Sequence, residues 1–116
     1  MALNPALYQQ NGVTISTTEY SLTNNSTTIA TQTTSAIVSI WIDLANMAAG
    51  DEYEVALREK VTSTSTQRRI VLGNPSGAQS EPFVSAGYQV GHGWDVTLTK
   101  KLGTDRAISW TIRAVT

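Results

Sequence analysis

Residues 94–114, with the sequence WDVTLTKKLGTDRAISWTIRA, decide the fold class of this chain. Apolar and polar residues alternate along both halves of the stretch, and a Gly-Thr-Asp-Arg sequence at residues 103–106 separates the halves. Because successive side chains of a β-strand point to opposite faces of a sheet, the alternation predicts two strands with one buried face each. We therefore predict a C-terminal β-hairpin. Its apolar positions are Trp94, Val96, Leu98, Ile108, Trp110, Ile112 and Ala114.

Two further strands are predicted in the middle of the chain. Over residues 35–43, apolar side chains occupy every position of one face, and the other face also contains the apolar residues Ile37 and Trp41. The pattern predicts a strand that is nearly buried on both sides. Over residues 52–61, apolar residues alternate with charged ones, which predicts a strand with one solvated face. The alanine-rich segment 44–51 between them predicts one short helical turn.

The remaining strands are shorter. A polar run at residues 62–66 predicts a hairpin loop, and short strands are predicted at residues 13–15, 19–22 and 68–72, with one or two more between 78 and 92. Seven to eight short strands predict an all-β fold, either an antiparallel β-sandwich or a jelly-roll-like barrel. A chain of 116 residues forms one domain of this kind, and we assign residues 1–116 to it with residues 1–10 as an N-terminal arm.

Composition narrows the class of partner. The chain has 8 basic and 9 acidic side chains, and the basic ones are scattered, so it offers no positive field for nucleic acid. It has no cysteine, which fits folding in a reducing cytosol without disulfides. No stretch approaches the ~20 apolar residues that span a bilayer, and the first residues lack the pattern of a signal peptide. We therefore expect neither membrane insertion nor classical export.

Side chains that could carry catalysis are few. The only histidine is His92, and a hydrolytic site needs a nucleophile, a base and an orienting group that converge. The carboxylates Asp51, Glu52 and Glu54 lie close in sequence but lack the spacing of a calcium loop. We therefore expect no catalytic, cofactor or metal site, and we interpret the chain as a structural or binding module. An enzyme remains an alternative only if distant groups converge on His92.

The tryptophans separate into two groups. Trp94 and Trp110 are in register with the apolar faces of their strands, which predicts core positions. Trp41 alternates with polar residues and is predicted on the less buried face, where it could stack on a sugar ring or equally cover a second sheet or a subunit contact. A glycan-binding receptor-recognition module is therefore an alternative, and it requires Trp41 or Tyr88 to be exposed beside polar groups.

Several segments carry a resemblance to a known group of proteins. They are ISTTEYSL at residues 15–22, WIDL at 41–44, YEVALREK at 53–60, and GWDVTL at 93–98 continuing through GTDR at 103–106 to WTIR at 110–113. Together they resemble small proteins encoded among the virion structural genes of tailed bacteriophages. The resemblance covers most of the chain and includes no catalytic motif, so it implies a virion part without specifying which one.

Within that group, the size and the predicted sandwich are similar to those of capsid decoration, or cement, proteins. The resemblance implies a homo-oligomer, with a trimer favoured, that assembles in the host bacterial cytoplasm and lies on the capsid surface. It would bridge subunits of the major capsid protein and stabilise the head. Neither nucleic acid nor a membrane is expected as a partner. A tail or head-tail junction component is the nearest alternative.

Contact residues are predicted from apolar side chains that the strand pattern leaves without a core position. The arm at residues 1–10 either drapes over a neighbouring subunit or is an ordinary first strand or a disordered tail. The irregular segment 78–91 is the second candidate, because loops on rigid scaffolds often carry function. The predicted subunit or capsid contacts are Leu3, Leu7, Tyr8, Trp41, Phe83 and Tyr88.

Overall fold

A computed structural model describes residues 5–116, with side chains from Leu7 onward. Over these residues the chain forms nine strands. They are β1 (Pro5–Ile15), β2 (Tyr20–Ser21), β3 (Ala36–Asp43), β4 (Glu52–Glu59), β5 (Arg68–Gly73), β6 (Phe83–Val84), β7 (Tyr88–Val90), β8 (Asp95–Leu102) and β9 (Arg106–Val115).

The strands form two antiparallel sheets. Sheet A has the order β1-β9-β3-β6, and β7 pairs with another part of β3. Sheet B has the order β2-β8-β4-β5, in which β4 and β5 form the predicted hairpin. The prediction of an all-β antiparallel sandwich is confirmed. Since the two sheets are separate, the fold is a sandwich and not a closed barrel.

The core lies between the sheets and is built from alternate, inward-facing residues. Trp94 and Tyr53 are fully buried, and Trp110 is almost so. Trp94 Nε1 donates a hydrogen bond to the carbonyl of Thr34 at 3.0 Å, and Trp110 Nε1 donates one to the carbonyl of Leu22 at 2.9 Å. Each buried indole therefore has a partner for its polar atom. The predicted core positions of Trp94 and Trp110 are confirmed.

The predicted C-terminal hairpin is wrong. β8 pairs with β2 and β4 in sheet B, whereas β9 pairs with β1 and β3 in sheet A, so the link at residues 103–105 crosses between the sheets. Asp51 accepts hydrogen bonds from Thr104 N at 2.9 Å and Arg106 Nε at 2.7 Å, and the Tyr53 hydroxyl accepts one from Arg106 N at 2.8 Å. The alternating pattern does not distinguish a hairpin from a link that crosses between the sheets, because both arrangements bury the same apolar faces.

The solvation of the two central strands is the reverse of the prediction. On β3, one face is buried, but on the other Ile37 is 55% exposed and Trp41 is half-buried. On β4, the predicted solvated face is largely covered, and Glu54 is only 8% exposed. Glu54 is covered because Arg69 of β5 forms an ion pair with it. Arg69 also pairs with Glu19 on the same side of the sheet.

The connection between β3 and β4 contains turns and no helix. Residues 44–51 form two successive turns, closed by hydrogen bonds from Met47 N to Leu44 O at 3.0 Å and from Asp51 N to Ala48 O at 3.1 Å. Tight turns of this kind use the same three-residue spacing as a single helical turn, so composition alone does not separate the two. The predicted helical turn is therefore replaced by a pair of turns that ends on Asp51.

Part of the predicted N-terminal arm belongs to β1. Residues 5–10 pair with β9 without a register shift. The register shifts between Gln10 and Val13, where Gly12 has a positive φ of 64°, as in a β-bulge. The described part of the arm is thus the first strand of sheet A, which was one of the alternatives considered. Leu3 lies outside the described residues.

The long connection from β2 to β3 is held by polar contacts. The carboxylate of Asp95, fully buried on β8, accepts hydrogen bonds from Thr23 Oγ1 at 2.7 Å and from Ala30 N at 2.9 Å. The backbones of Gln32 and Trp94 also pair with each other. A segment with few apolar residues is therefore fixed to the sandwich by hydrogen bonds to a buried acceptor.

We expect Gly103→Ala to lower the free energy of unfolding by about 2 kcal/mol, because Gly103 has a φ of 88° that L side chains rarely adopt. A Cβ there would also lie 2.7 Å from the Cα of Asp51. Urea denaturation measures the loss. The matched control is Gly77→Ala, where φ is 73° but no atom lies within 4 Å of an added Cβ. Equal losses for the two variants would show that crowding against Asp51 contributes nothing.

Candidate functional site

The outer face of sheet A, which we call the open face, is assembled from the five strands of that sheet. Directly opposed residues of antiparallel strands share a face, so the register places their outward side chains in rows. One row contains Leu7, Arg113 and Ser39, and the next contains Gln9, Thr111, Trp41 and Val84. These rows run across β1, β9, β3 and β6.

The open face contains large apolar side chains among polar ones and has few charges. Ile37 is 55% exposed, Leu7 51% and Val84 46%. Among the described outward-facing side chains of this sheet, only Arg113 and Asp43 are charged. An exposed surface that combines large apolar side chains with so few charges is typical of an interaction site.

Trp41 lies near the centre of the open face. The guanidinium carbon of Arg113 lies 4.1 Å from the centre of the indole ring, which is a cation–π contact that covers one side of the ring. Within the described part of the chain, the buried Nε1 of Trp41 has no hydrogen-bond partner. A shallow hollow of about 180 Å³ lies beside the ring, lined by Asn11, Asp43, Pro82, Ser109 and Thr111 among others.

The predicted contact residues divide between the two sides of sheet A. Leu7 and Trp41 lie on the open face. Tyr8, Phe83 and Tyr88 are half-buried and pack against the core, and the Tyr8 ring meets Trp94 edge-on with 5.9 Å between ring centres. Leu3 lies outside the described residues. All six remain predictions as contacts.

Two exposed residues of the open face were not predicted, namely Ile37 and Val84. The signal for Ile37 was its position between polar residues on the second face of its strand, but a run of apolar residues also fits a strand that is buried on both sides. Val84 belongs to a two-residue strand, β6, which is too short to show a period. Only the pairing of Val84 with Trp41 places it on the open face.

The outer face of sheet B, which we call the charged face, differs from the open face in its ion pairs, although Val71 on this side is also 46% exposed. Glu19 accepts hydrogen bonds from Arg58 Nε at 3.0 Å, Arg69 Nε at 2.9 Å and Thr97 Oγ1 at 2.6 Å. Partial burial raises the pKa of Glu19, but these bonds outweigh it and lower the pKa to about 2. Arg69 also pairs with Glu54. The charges of this face are therefore largely satisfied within the fold.

His92 is exposed at one end of the sandwich. A cavity of about 450 Å³ opens there, lined by Ser35, Ile37, Glu59, Gln89 and His92 among others. The Glu59 carboxylate accepts hydrogen bonds from the backbone nitrogens of Gly91 at 2.8 Å and His92 at 3.2 Å. The carboxylate thus serves to hold the backbone of the loop.

The acidic residues Asp51, Glu54 and Asp95 make separate contacts within the fold. Asp51 holds the link between the sheets, Glu54 is on the charged face, and Asp95 is buried against Thr23. Hydrogen bonds from the backbone of Thr104, the side chain of Arg106 and the backbone of Ala48 lower the pKa of Asp51 to about 2. Over residues 5–116, no group of three or more His, Asp or Glu side chains is placed to hold a metal ion.

Comparisons of the chain with protein family models, with curated proteins and with solved structures found no match. The resemblance to virion proteins therefore depends on the sequence segments that carry it. In the described part of the chain, no helix has the length and apolar character needed to cross a membrane.

We expect stability to fall as the pH decreases from 4.5 towards 2, because Glu19 has a folded-state pKa of about 2 against an ordinary value of 4.5. The ionised carboxylate stabilises the fold above the ordinary pKa, and this contribution is lost as the folded state becomes protonated. Glu19→Gln should lower the free energy of unfolding at neutral pH. It should also make the loss of stability between pH 4.5 and 2 smaller than in the wild type. Urea denaturation over this pH range measures both effects.

The control for this experiment is Glu81→Gln, which removes the same charge from an exposed loop residue. It should leave the stability at neutral pH close to that of the wild type, because a surface charge without close partners contributes little. If Glu19→Gln and the wild type lost stability in parallel between pH 4.5 and 2, the Glu19 ion pairs would not be the cause.

Proposed function

We propose that this protein is a non-enzymatic structural component of a tailed-phage virion, and specifically a capsid decoration protein that binds the major capsid protein through the open face. The observation that carries the proposal is the exposure of Ile37, Leu7 and Val84 on a sheet face where only two of the described side chains are charged. The centres of protein interfaces are depleted of charge and rich in aromatic and other large side chains. The sequence resemblance supplies the class of partner.

The difference between the two outer faces supports an oriented attachment. The charged face contains ion pairs of Glu19 and Glu54 with arginines that are themselves partly buried. A surface whose charges are already paired and hydrated suits contact with solvent. The open face would lie against the shell, and the charged face would point away from it.

The placement of the ionisable groups supports a binding role. The carboxylates of Asp51, Asp95 and Glu59 each accept two or more hydrogen bonds from the fold. These bonds fix the inter-sheet link, the connection from β2 to β3 and the loop after β7. Carboxylates that hold the backbone in this way make the fold rigid, and a rigid fold suits a clamp between subunits.

The mechanism is the burial of surface between neighbouring capsid subunits. Each Å² of apolar surface removed from water contributes roughly 25 cal/mol, from which the cost of association is subtracted. Copies repeated over the shell multiply a modest contact. Assembly in the host cytoplasm, attachment to the capsid surface and a homo-oligomer are parts of this proposal. A tail or head-tail junction component would use the same face on another virion protein.

We expect Ile37→Lys to weaken binding to shells of the major capsid protein at least about tenfold, because a charge would enter an apolar part of the contact. Co-sedimentation of the purified chain with shells measures the affinity. The matched control is Val61→Lys, since Val61 lies in the loop just after β4 and is 79% exposed, away from the open face. Circular dichroism confirms that both variants are folded.

Two results would contradict the decoration role. One is a wild-type chain that does not sediment with shells of the phage that encodes it. The other is an equal loss of binding for Ile37→Lys and Val61→Lys, which would place the contact elsewhere than on the open face.

A second candidate function, glycan binding, is favoured by one observation. Trp41 is half-buried beside Asn11, Asp43 and Ser109, and aromatic rings flanked by polar groups bind sugars. Arg113 already covers one side of the ring, which reduces the surface left for stacking. A glycan array separates the candidates: hits that are lost on Trp41→Ala would favour this second function over shell attachment.

A further inference from the structure

Two edge strands of the sandwich are long. β1 forms one edge of sheet A, and β5 forms one edge of sheet B. The other edge strands, β2, β6 and β7, have only two or three residues. No described strand pairs with the outer edge of β1 or of β5. An edge strand presents backbone N–H and C=O groups that can pair with another chain.

The two long edges differ in charge. β5 begins with Arg68 and Arg69, and charged side chains on an edge oppose pairing with a second chain. β1, with the sequence PALYQQNGVTI, contains no charged residue in eleven positions. Its protective features lie at its ends, namely Pro5 and the bulge that follows Gln10. The segment between them is a regular edge without a charge.

The backbone of this segment is placed for pairing. Residues 5–10 keep an unbroken register with β9, and alternate residues of an antiparallel edge strand direct both backbone groups away from the sheet. Tyr8 packs inward against Trp94, which holds the strand on the sandwich. Leu7 points outward and is 51% exposed.

We propose that β1 pairs in an antiparallel manner with β1 of a second copy of this chain, across a two-fold axis that places Leu7 opposite Leu7 of the second copy. In this register, residues on the same face of each strand oppose one another, so Leu7 loses exposed surface while the backbone groups pair. When a strand pairs with its own copy, any charged side chain comes close to a like charge and is repelled. β1 has no charged residue, so this repulsion does not arise. Self-pairing of β5 would instead bring Arg68 and Arg69 close to their own copies.

The dimer would join two sheets A into one continuous sheet and two open faces into one surface. This inference goes beyond the proposed function, because the pairing would form in solution without shells. Failure of shell binding and failure of dimerisation are therefore separate results. The trimer implied by the sequence resemblance would need a different contact, and the stoichiometry in solution distinguishes the two.

The first test is sedimentation equilibrium of the full chain over a range of concentrations. The wild type should form a dimer, and Leu7→Lys should raise the dimer dissociation constant at least about tenfold, because like charges would oppose each other across the axis. The matched control is Ile70→Lys on β5, since Ile70 is 50% exposed on the other long edge. Ile70→Lys should leave the dimer unchanged.

The second test uses the absence of cysteine from the chain. Opposed residues of antiparallel strands have Cβ atoms near the separation that a disulfide requires. After mild oxidation, Leu7→Cys should give about tenfold more covalent dimer than Ile70→Cys, as measured by non-reducing electrophoresis. Thermal unfolding followed by circular dichroism verifies that each variant is folded.

The outcomes decide the proposal. A wild-type dimer that is weakened by Leu7→Lys and cross-linked by Leu7→Cys supports it. A wild-type monomer, a trimer, a dimer that Leu7→Lys leaves intact, or equal cross-linking of the two cysteine variants overturns it.

Discussion

The crossing of the chain from β8 to β9 is the constraint on which the rest of the structure depends. Residues 103–105 connect the centre of one sheet to the centre of the other, and side chains of Asp51 and Tyr53 bind this link by hydrogen bonds. Both strands lie in the interior of their sheets and each has neighbours on both sides. The link therefore sets which apolar residues face each other in the core and which side chains face outward.

The sandwich has two unlike outer surfaces. Sheet B collects Glu19, Glu54, Arg58 and Arg69 on its outer face, where partial burial is offset by ion pairs and charged hydrogen bonds. Sheet A contains few charges, and its outward positions keep apolar side chains in contact with water. Hydrophobic surface left exposed in this way costs free energy that a partner recovers on binding. The topology therefore determines which strands contribute to each outer face, and it places β1 at an edge of sheet A.

The sequence predicted the strands well where an alternating pattern was long enough to read. The segments around Ala36–Asp43, Glu52–Glu59 and Arg106–Val115 were found close to their observed positions, and the core tryptophans were correctly assigned. Prediction failed where two arrangements bury the same residues. The C-terminal hairpin and the buried second face of β3 were both compatible with the pattern, because alternation reports the side of a strand and not its neighbour.

Of the predicted contacts, Leu7 and Trp41 come together on one face, whereas Tyr8, Phe83 and Tyr88 pack against the core. Isolated aromatic residues in irregular segments carry no period, so only neighbours in space decide which way they point. By itself the sequence determined the all-β class, most strand positions and the core faces, since these follow from the order of apolar and polar residues along the chain. The tertiary structure alone decided which strands are neighbours, which charges are paired and which apolar face stays uncovered. Those properties depend on contacts between residues far apart in the sequence, which a local pattern does not record.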